Sequence, residues 1–278
     1  MKKVINKEQI KEDLLKLGIR RGNLVALHSS LSSIGYVEGG ADTVVDAFLE
    51  ILGKEGTLMV PTFTYSFVGF ENSKPFHSRR TPPCKTGRIT EKLWLRKEAL
   101  RSLHPTHSVV AIGKEAKYLI LHHEKVSALG ENSPFHKLAQ KGGYILLLGV
   151  DHTSNSIIHT AESLARVPYL DIPFKNWGKE VRILENDGKE RREVLKEFPG
   201  CSKGFNKVES ILRRERIIVD GKIGKAKTQL IKAEELLKVL VPILKDNPGF
   251  LLCDNPNCET CQRRKRRIKE VFHDKAIR

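Results

Sequence analysis

His159 and Glu162 are the residues whose types and spacing most directly suggest chemistry. They stand in NSIIHTAES, residues 155–163. A spacing of three puts them beside the same face of a helix. An imidazole there can take a proton near neutral pH. The pattern also fits a histidine packed in a helix interface, and these residues alone leave both readings open.

Other clusters could bind rather than react. Ser29, Ser30, Ser32 and Ser33 form a small-residue loop after an apolar run. Amides and hydroxyls at a helix start favour phosphate or diphosphate, although the pattern matches no P-loop or dinucleotide fingerprint. Taken alone, the loop is better read as a plain strand-to-helix turn. His104 and His107 flank Pro105, which predicts a rigid turn. A metal pair there lacks an obvious third ligand. Cys253, Cys258 and Cys261 follow a C-x₄-C-x₂-C spacing. With Cys201 as the fourth ligand, they predict a structural zinc site with no open position. Free thiols or a disulfide are the alternatives.

These groups need elements to hold them. Tyr144–Leu148 is a short apolar run suited to a buried strand, followed by turn residues and a helical pattern from Asn155. Loops at the C-terminal ends of such strands are where ligands usually bind in α/β sheets. Further strands are expected at 23–28, 56–61 and 109–112, and helices at 5–17, 87–96, 114–122, 204–215 and 230–245. Asn132 or Ser133 should cap a helix that starts with Pro134. Residues 68–86 read as a long irregular excursion of the kind that forms lids or substrate walls. The segments 178–186 and 190–198 should form a hairpin around Asn186-Asp187-Gly188, able to carry Glu193 or Glu197 over the site.

Composition narrows the class. The 278 residues are 40% hydrophobic and 29% charged, with no run long enough to span a membrane and no signal-peptide pattern at the start. A cytoplasmic protein with no membrane partner is the expectation. The net charge of +16 fits nucleic acid, a phosphorylated cofactor or a solvated lysine surface equally well. Aromatics make up only 6%, and no basic segment interleaves them as single-strand binders do. Residues 262–278 carry eight Lys/Arg against two Asp/Glu, which reads as a solvated tail or helix face.

The motifs LHSSLSSIG, GTLMVPTFT, HPTHSVVAIG, GENSPFHKLA and GYILLLGVDHTSNSIIHTAE occur in this order. Together they resemble the aminoglycoside 3-N-acetyltransferase family over about residues 10–170. AKTQLIKAEELLKVL matches more loosely. The resemblance implies an α/β fold with a central mixed sheet flanked by helices, here carrying a hairpin excursion and a cysteine-rich C-terminal tail. It predicts one domain over 1–278: a core at about 5–170, a hairpin and helical part at 171–250, and a basic tail at 251–278.

The family's enzymes take acetyl from acetyl-coenzyme A and place it on an amine of an aminoglycoside or other amino sugar. By resemblance His159 is the catalytic base and Glu197 the acid that orients it. Ser29, Ser30, Leu31 and Ser32 belong to the coenzyme A site, and His104, His107 and Ser108 lie near the pantetheine arm. Amides around Ser29–Leu31 would hold the oxyanion. No cysteine lies near the histidine motif, so direct transfer is expected. A homodimer is compatible with the resemblance.

One departure concerns the acceptor. Antibiotic-modifying members often carry acidic residues after the second strand, whereas TFTYSFVGFENSKPFHSRR holds only Glu71. TFTYSF resembles members that acetylate nucleotide-linked amino sugars, so such a sugar is the alternative acceptor, whose diphosphate would meet Arg79, Arg80 and Arg88. A reading from another class is a zinc-stabilised nucleic-acid-binding protein using the basic tail. It would leave the five motifs unexplained, so nucleic acid is not an expected partner.

Overall fold

The computed structural model describes residues 4–64, 73–174, 177–185 and 187–276. The chain opens with β1 (Val4–Ile5), α1 (Lys7–Leu17), β2 (Leu24–Ser29), α2 (Leu31–Ile34), β3 (Tyr36–Val37), α3 (Gly40–Leu52) and β4 (Thr57–Pro61). It continues through α4 (Arg88–Trp94), β5 (Leu100–Arg101), β6 (Val109–Gly113), α5 (Ala116–Ile120), α6 (Pro134–Gln140), β7 (Tyr144–Leu148) and α7 (Ile157–Leu164). The remainder is β8 (Glu180–Leu184), β9 (Glu190–Val194), α8 (Val208–Arg214), β10 (Ile218–Ile223), β11 (Ala226–Lys232), α9 (Ala233–Asp246) and α10 (Glu259–Ala276).

Seven strands form the main sheet in the order β10-β11-β7-β2-β4-β6-β5. β2 runs parallel to β7 and β4, and the other pairings are antiparallel. This is the mixed sheet expected from the sequence. Central strands bury both faces, and their residues alternate between two cores, as a period of two requires. Ala26, Met59, Ala111 and Leu147 face one core, with residues of α6, α7 and α9. Val25, Leu58, Val110 and Leu146 face the other, with α1 and α3.

Local chemistry sets the element ends. Asn6 accepts from the Gln9 amide at 2.9 Å to open α1, and Gly18, at φ 109°, closes it. Ser133 caps α6, with Pro134 at its start.

Three parts differ from the sequence reading. β10 and β11 extend the main sheet where no strand was expected, and α9 starts only at Ala233. The Lys-rich alternation of 218–232 fits an edge hairpin whose outer face is solvated. The basic tail is an 18-residue helix, α10, and its Cys261 and Arg264 are buried. Third, β8–β9 forms the expected hairpin, but β9 ends at Val194, so Glu197 lies beyond it. Asn186 and Glu71 lie outside the described residues, as does the 65–67 part of TFTYSF. Among the described residues, no helix is long and apolar enough to cross a membrane.

Candidate active site

The site grows from the crossover between β7 and α7. β7 is paired on both sides, so its end is rigid, and the chain leaves it at Gly149. Gly149 has φ 65°, and a Cβ there would stand 2.4 Å from the Ser33 Cβ. Only glycine lets the Ser loop approach the strand end this closely. Asp151 then caps a short turn, accepting from the Thr153 amide at 2.9 Å. That turn delivers the chain into α7 with His159 in its first turn and Glu162 one turn later.

His159 Nδ1 lies 2.6 Å from Glu162 Oε2. The other carboxylate oxygen accepts from the Tyr169 hydroxyl at 2.8 Å. Both partners of the histidine–glutamate pair are enclosed, with side chains 10% and 3% exposed. Phe205 meets the imidazole edge-on, with ring centroids 4.7 Å apart. Burial would push the Glu162 carboxyl up. The His159 hydrogen bond and charge, the charge of Arg264 and the Tyr169 hydrogen bond outweigh it, so the carboxyl sits below its usual range. Burial, then the charge and hydrogen bond of Glu162, hold the Tyr169 hydroxyl well above its ordinary value, so it stays a donor. The arrangement fixes the imidazole tautomer and leaves Nε2 for a substrate.

His159 borders a cavity of about 1140 Å³. Ser29, Ser30, Leu31 and Ser32 form part of its wall. The Ser30 amide donates to Leu148 O at 2.9 Å, so it is not available to an oxyanion. Lys85, Arg88 and Lys203 also line the cavity, and no carboxylate does so among the described residues. Arg79 and Arg80 are not in that wall.

The decisive comparison is with sequence families. The profile for aminoglycoside 3-N-acetyltransferase matches residues 26–245. The chain belongs to the aminoglycoside 3-N-acetyltransferase family. It is 32% identical over 260 residues to the SPbeta prophage-derived aminoglycoside N(3')-acetyltransferase-like protein YokD of Bacillus subtilis, covering 84% of this chain and 93% of that one. It is 30% identical over 277 residues to aminoglycoside N(3)-acetyltransferase III of Serratia marcescens, covering 87% and 98%. Among solved structures, a mutant of aminoglycoside acetyltransferase AAC(3)-IVa in complex with a gentamicin superimposes with a TM-score of 0.83. The identity is 27%, and the match covers 94% of this chain and 97% of that one.

Within this acetyltransferase, the acid in contact with His159 is Glu162, whereas the resemblance names Glu197. Glu162 holds Nδ1, while Glu197 accepts from the hydroxyls of Ser127 and Ser163, at 2.5 and 2.8 Å. The i,i+3 spacing on one helix makes Glu162 the nearer partner by construction. Glu197 still borders a small cavity together with His159 and Glu162. Glu193 pairs with Arg191 on the hairpin and borders none of these spaces.

The HP-x-HS turn divides in two. His107 lines the large cavity, whereas His104 and Ser108 do not. His104 accepts from the His107 amide at 3.1 Å, and Ser108 donates to Thr62 O at 2.8 Å. They shape the turn from behind, one layer back from the cavity wall that His107 forms. Burial, then the charges of His159 and His123, pushes His107 down to about 3.

The ligand atoms of Cys201, Cys253, Cys258 and Cys261 all lie within 4.8 Å of one another. Tetrahedral zinc–thiolate bonds of about 2.3 Å put sulfurs roughly 3.8 Å apart, so this donor set fits the ion. A hydrogen bond from Cys261 lowers the Cys201 thiol to about 5, against burial. Cys84 stays outside the cluster. The sequence reading missed Lys85, Lys203, Tyr169 and Arg264. The first two sit in irregular segments with no motif, and Arg264 hides in a run that reads as solvated.

Proposed function

We propose that this acyltransferase moves the acetyl group of acetyl-coenzyme A directly to an amine of an aminoglycoside or related amino sugar, with His159 as general base. The observation that carries this is the 2.6 Å contact from His159 Nδ1 to Glu162 beside the large cavity. The amine nitrogen attacks the thioester carbonyl while Nε2 takes its proton. The C–S bond then breaks, and the thiolate leaves with acetyl now bonded to nitrogen. Glu162 stabilises the imidazolium formed on the way, as the acid of a triad does. The cationic wall of Lys85, Arg88 and Lys203 supports a phosphate-bearing cofactor in the same cavity. The relatives' names support an aminoglycoside as the acceptor.

The test is thiol release from acetyl-coenzyme A with aminoglycosides and sugar-nucleotide amines side by side. Turnover with an amino-sugar amine is the expected result. Cofactor-dependent turnover with neither class would sink the reading.

The cysteine cluster supports a structural zinc held by Cys201, Cys253, Cys258 and Cys261. When bound, the ion supplies a cross-link between the segment after the hairpin and α10. Metal analysis of untagged protein should find about one zinc per chain, and chelation should lower Tm. No metal, with all four thiols freely reactive in the native protein, would refute it.

A further inference from the structure

Arg264 is buried to 1% exposure in the middle of a basic run. Its Nη2 donates to Phe198 O at 2.6 Å and lies 3.3 Å from Ile172 O. Its Nε has no hydrogen-bond partner among the described residues. Neutral carbonyls alone do not compensate a buried guanidinium, which needs a counter-charge. That charge stands across one aromatic ring. The guanidinium carbon lies 4.9 Å from the Tyr169 ring centroid, and the Tyr169 hydroxyl bonds Glu162. Glu162 in turn holds His159.

The surroundings are built to this side chain. A Cβ on Gly200 would come within 2.1 Å of Arg264 Nη1, so the backbone beside Cys201 leaves room for the guanidinium. α10 is fixed in register around it. Cys261 joins the four-thiol cluster one turn earlier, Arg263 donates to Pro173 O at 3.0 Å, and Lys265 donates to Cys253 O at 2.9 Å.

We propose that Arg264 is a positioning residue for acetyl transfer: its buried charge and its stacking on Tyr169 hold the Tyr169–Glu162–His159 chain in working order. The inference rests on His159 being the base. The charge of Arg264 also helps keep Glu162 ionised. The other titratable groups nearby are His107 in the cavity wall, Glu197 on the small cavity and Cys261 on α10. Apart from His159 itself, none of the groups near Glu162 supplies a second buried cation.

The test compares Arg264→Gln, Arg264→Met and Arg264→Lys in the full-length protein as purified, by thiol release across pH. In the two neutral variants, kcat should fall roughly 10-fold or more. The KM for acetyl-coenzyme A should stay within about twofold, because Arg264 does not line the large cavity. The acid limb of kcat/KM should move up by about one pH unit, since losing a cation lets Glu162 hold its proton to higher pH. Arg264→Lys should restore part of both effects. Arg264→Gln keeps a donor for the carbonyls if Arg264→Met fails to fold. In a Glu162→Gln background the Arg264→Gln effect should largely vanish, as coupled residues require. An unchanged limb and kcat in folded Arg264→Gln overturns the inference while a dead His159→Ala leaves the base reading intact. An active His159→Ala would instead remove the base reading itself.

Discussion

Two spaces meet at the small cavity that holds His159 and Glu162, and they differ in sign. The large cavity carries Lys85, Arg88 and Lys203 and no carboxylate among its described lining. A second cleft of about 660 Å³ carries Glu131 and Glu197 against Arg166. The small cavity between them shares Leu129, His159 and Pro199 with the first and Ser127, Leu170 and Glu197 with the second. The contrast suits a polyanionic cofactor on one side and a cationic amine on the other. It also shows why a net charge of +16 is a poor guide to the acceptor. Ions beyond a Debye length of roughly 8 Å are largely screened, so the local sign decides.

The largest effect should come from removing His159, which lines the large cavity and the small one but not the acidic cleft. His159→Ala should lower kcat by roughly 10²–10⁴-fold, the usual worth of a general base. Its affinity for coenzyme A should change little. Near wild-type turnover with a good acceptor would break the comparison at its centre.

Acid should separate the two spaces next. The large cavity's wall contains His28, pushed down to about 4 by burial, and His107 at about 3, whereas no histidine is among the described lining of the acidic cleft. Below about 6.5 the unfolded chain protonates both residues and the folded chain does not. The unfolded state then binds more protons, so stability falls as pH drops from about 6.5 towards 4. The slope is at most about 1.4 kcal/mol per unit for each histidine. Melting temperatures across this range should fall steeply, and His28→Asn should flatten part of the slope. A flat profile would mean that the buried histidines, His104 and His123 behind the wall included, take up protons in the folded protein.

Charge removal on one side should sharpen the contrast. The triple variant Lys85→Ala, Arg88→Ala, Lys203→Ala should raise the KM for acetyl-coenzyme A by about three- to tenfold and leave the acceptor KM in place. Lys85 and Lys203 are exposed, and Arg88 is already paired with Glu91 at 2.8 Å, so larger losses are not expected. An equal rise in both KM values would show that the cavity does not sort the substrates.

The central sheet and α7 were legible because their signals are local. β2, β4, β6 and β7 are short apolar runs, and α7 follows a capped turn. His159 and the Ser29–Ser32 wall came with them. The four cysteines drew together as expected, because their spacing states the chemistry. What stayed hidden depends on tertiary choice. The Lys-rich strands β10 and β11 join the sheet only through pairing with β7. The resemblance names Glu197 as the orienter, and it takes the 2.6 Å contact to bring Glu162 into that place. Arg264 differs from its basic neighbours only in the face of α10 it occupies.

The smallest expected effect lies in the acidic cleft. Glu197 faces the cleft and the small cavity, but two serine hydroxyls already donate to it. Those bonds disperse its charge and hold its geometry, so Glu197→Gln removes a charge without collapsing the wall. The acceptor KM should rise about two- to fivefold, the scale of one partly solvated charge. The KM for acetyl-coenzyme A and the acid limb of kcat/KM should stay where they are, because Glu162, not Glu197, bonds the imidazole. The rise should be greater for a polycationic aminoglycoside than for a monoamine and should shrink with added salt. Steady-state kinetics at two ionic strengths distinguish the outcomes. A shifted acid limb would return Glu197 to an orienting role, and equal effects on both acceptors would deny the cleft any part in choosing the amine.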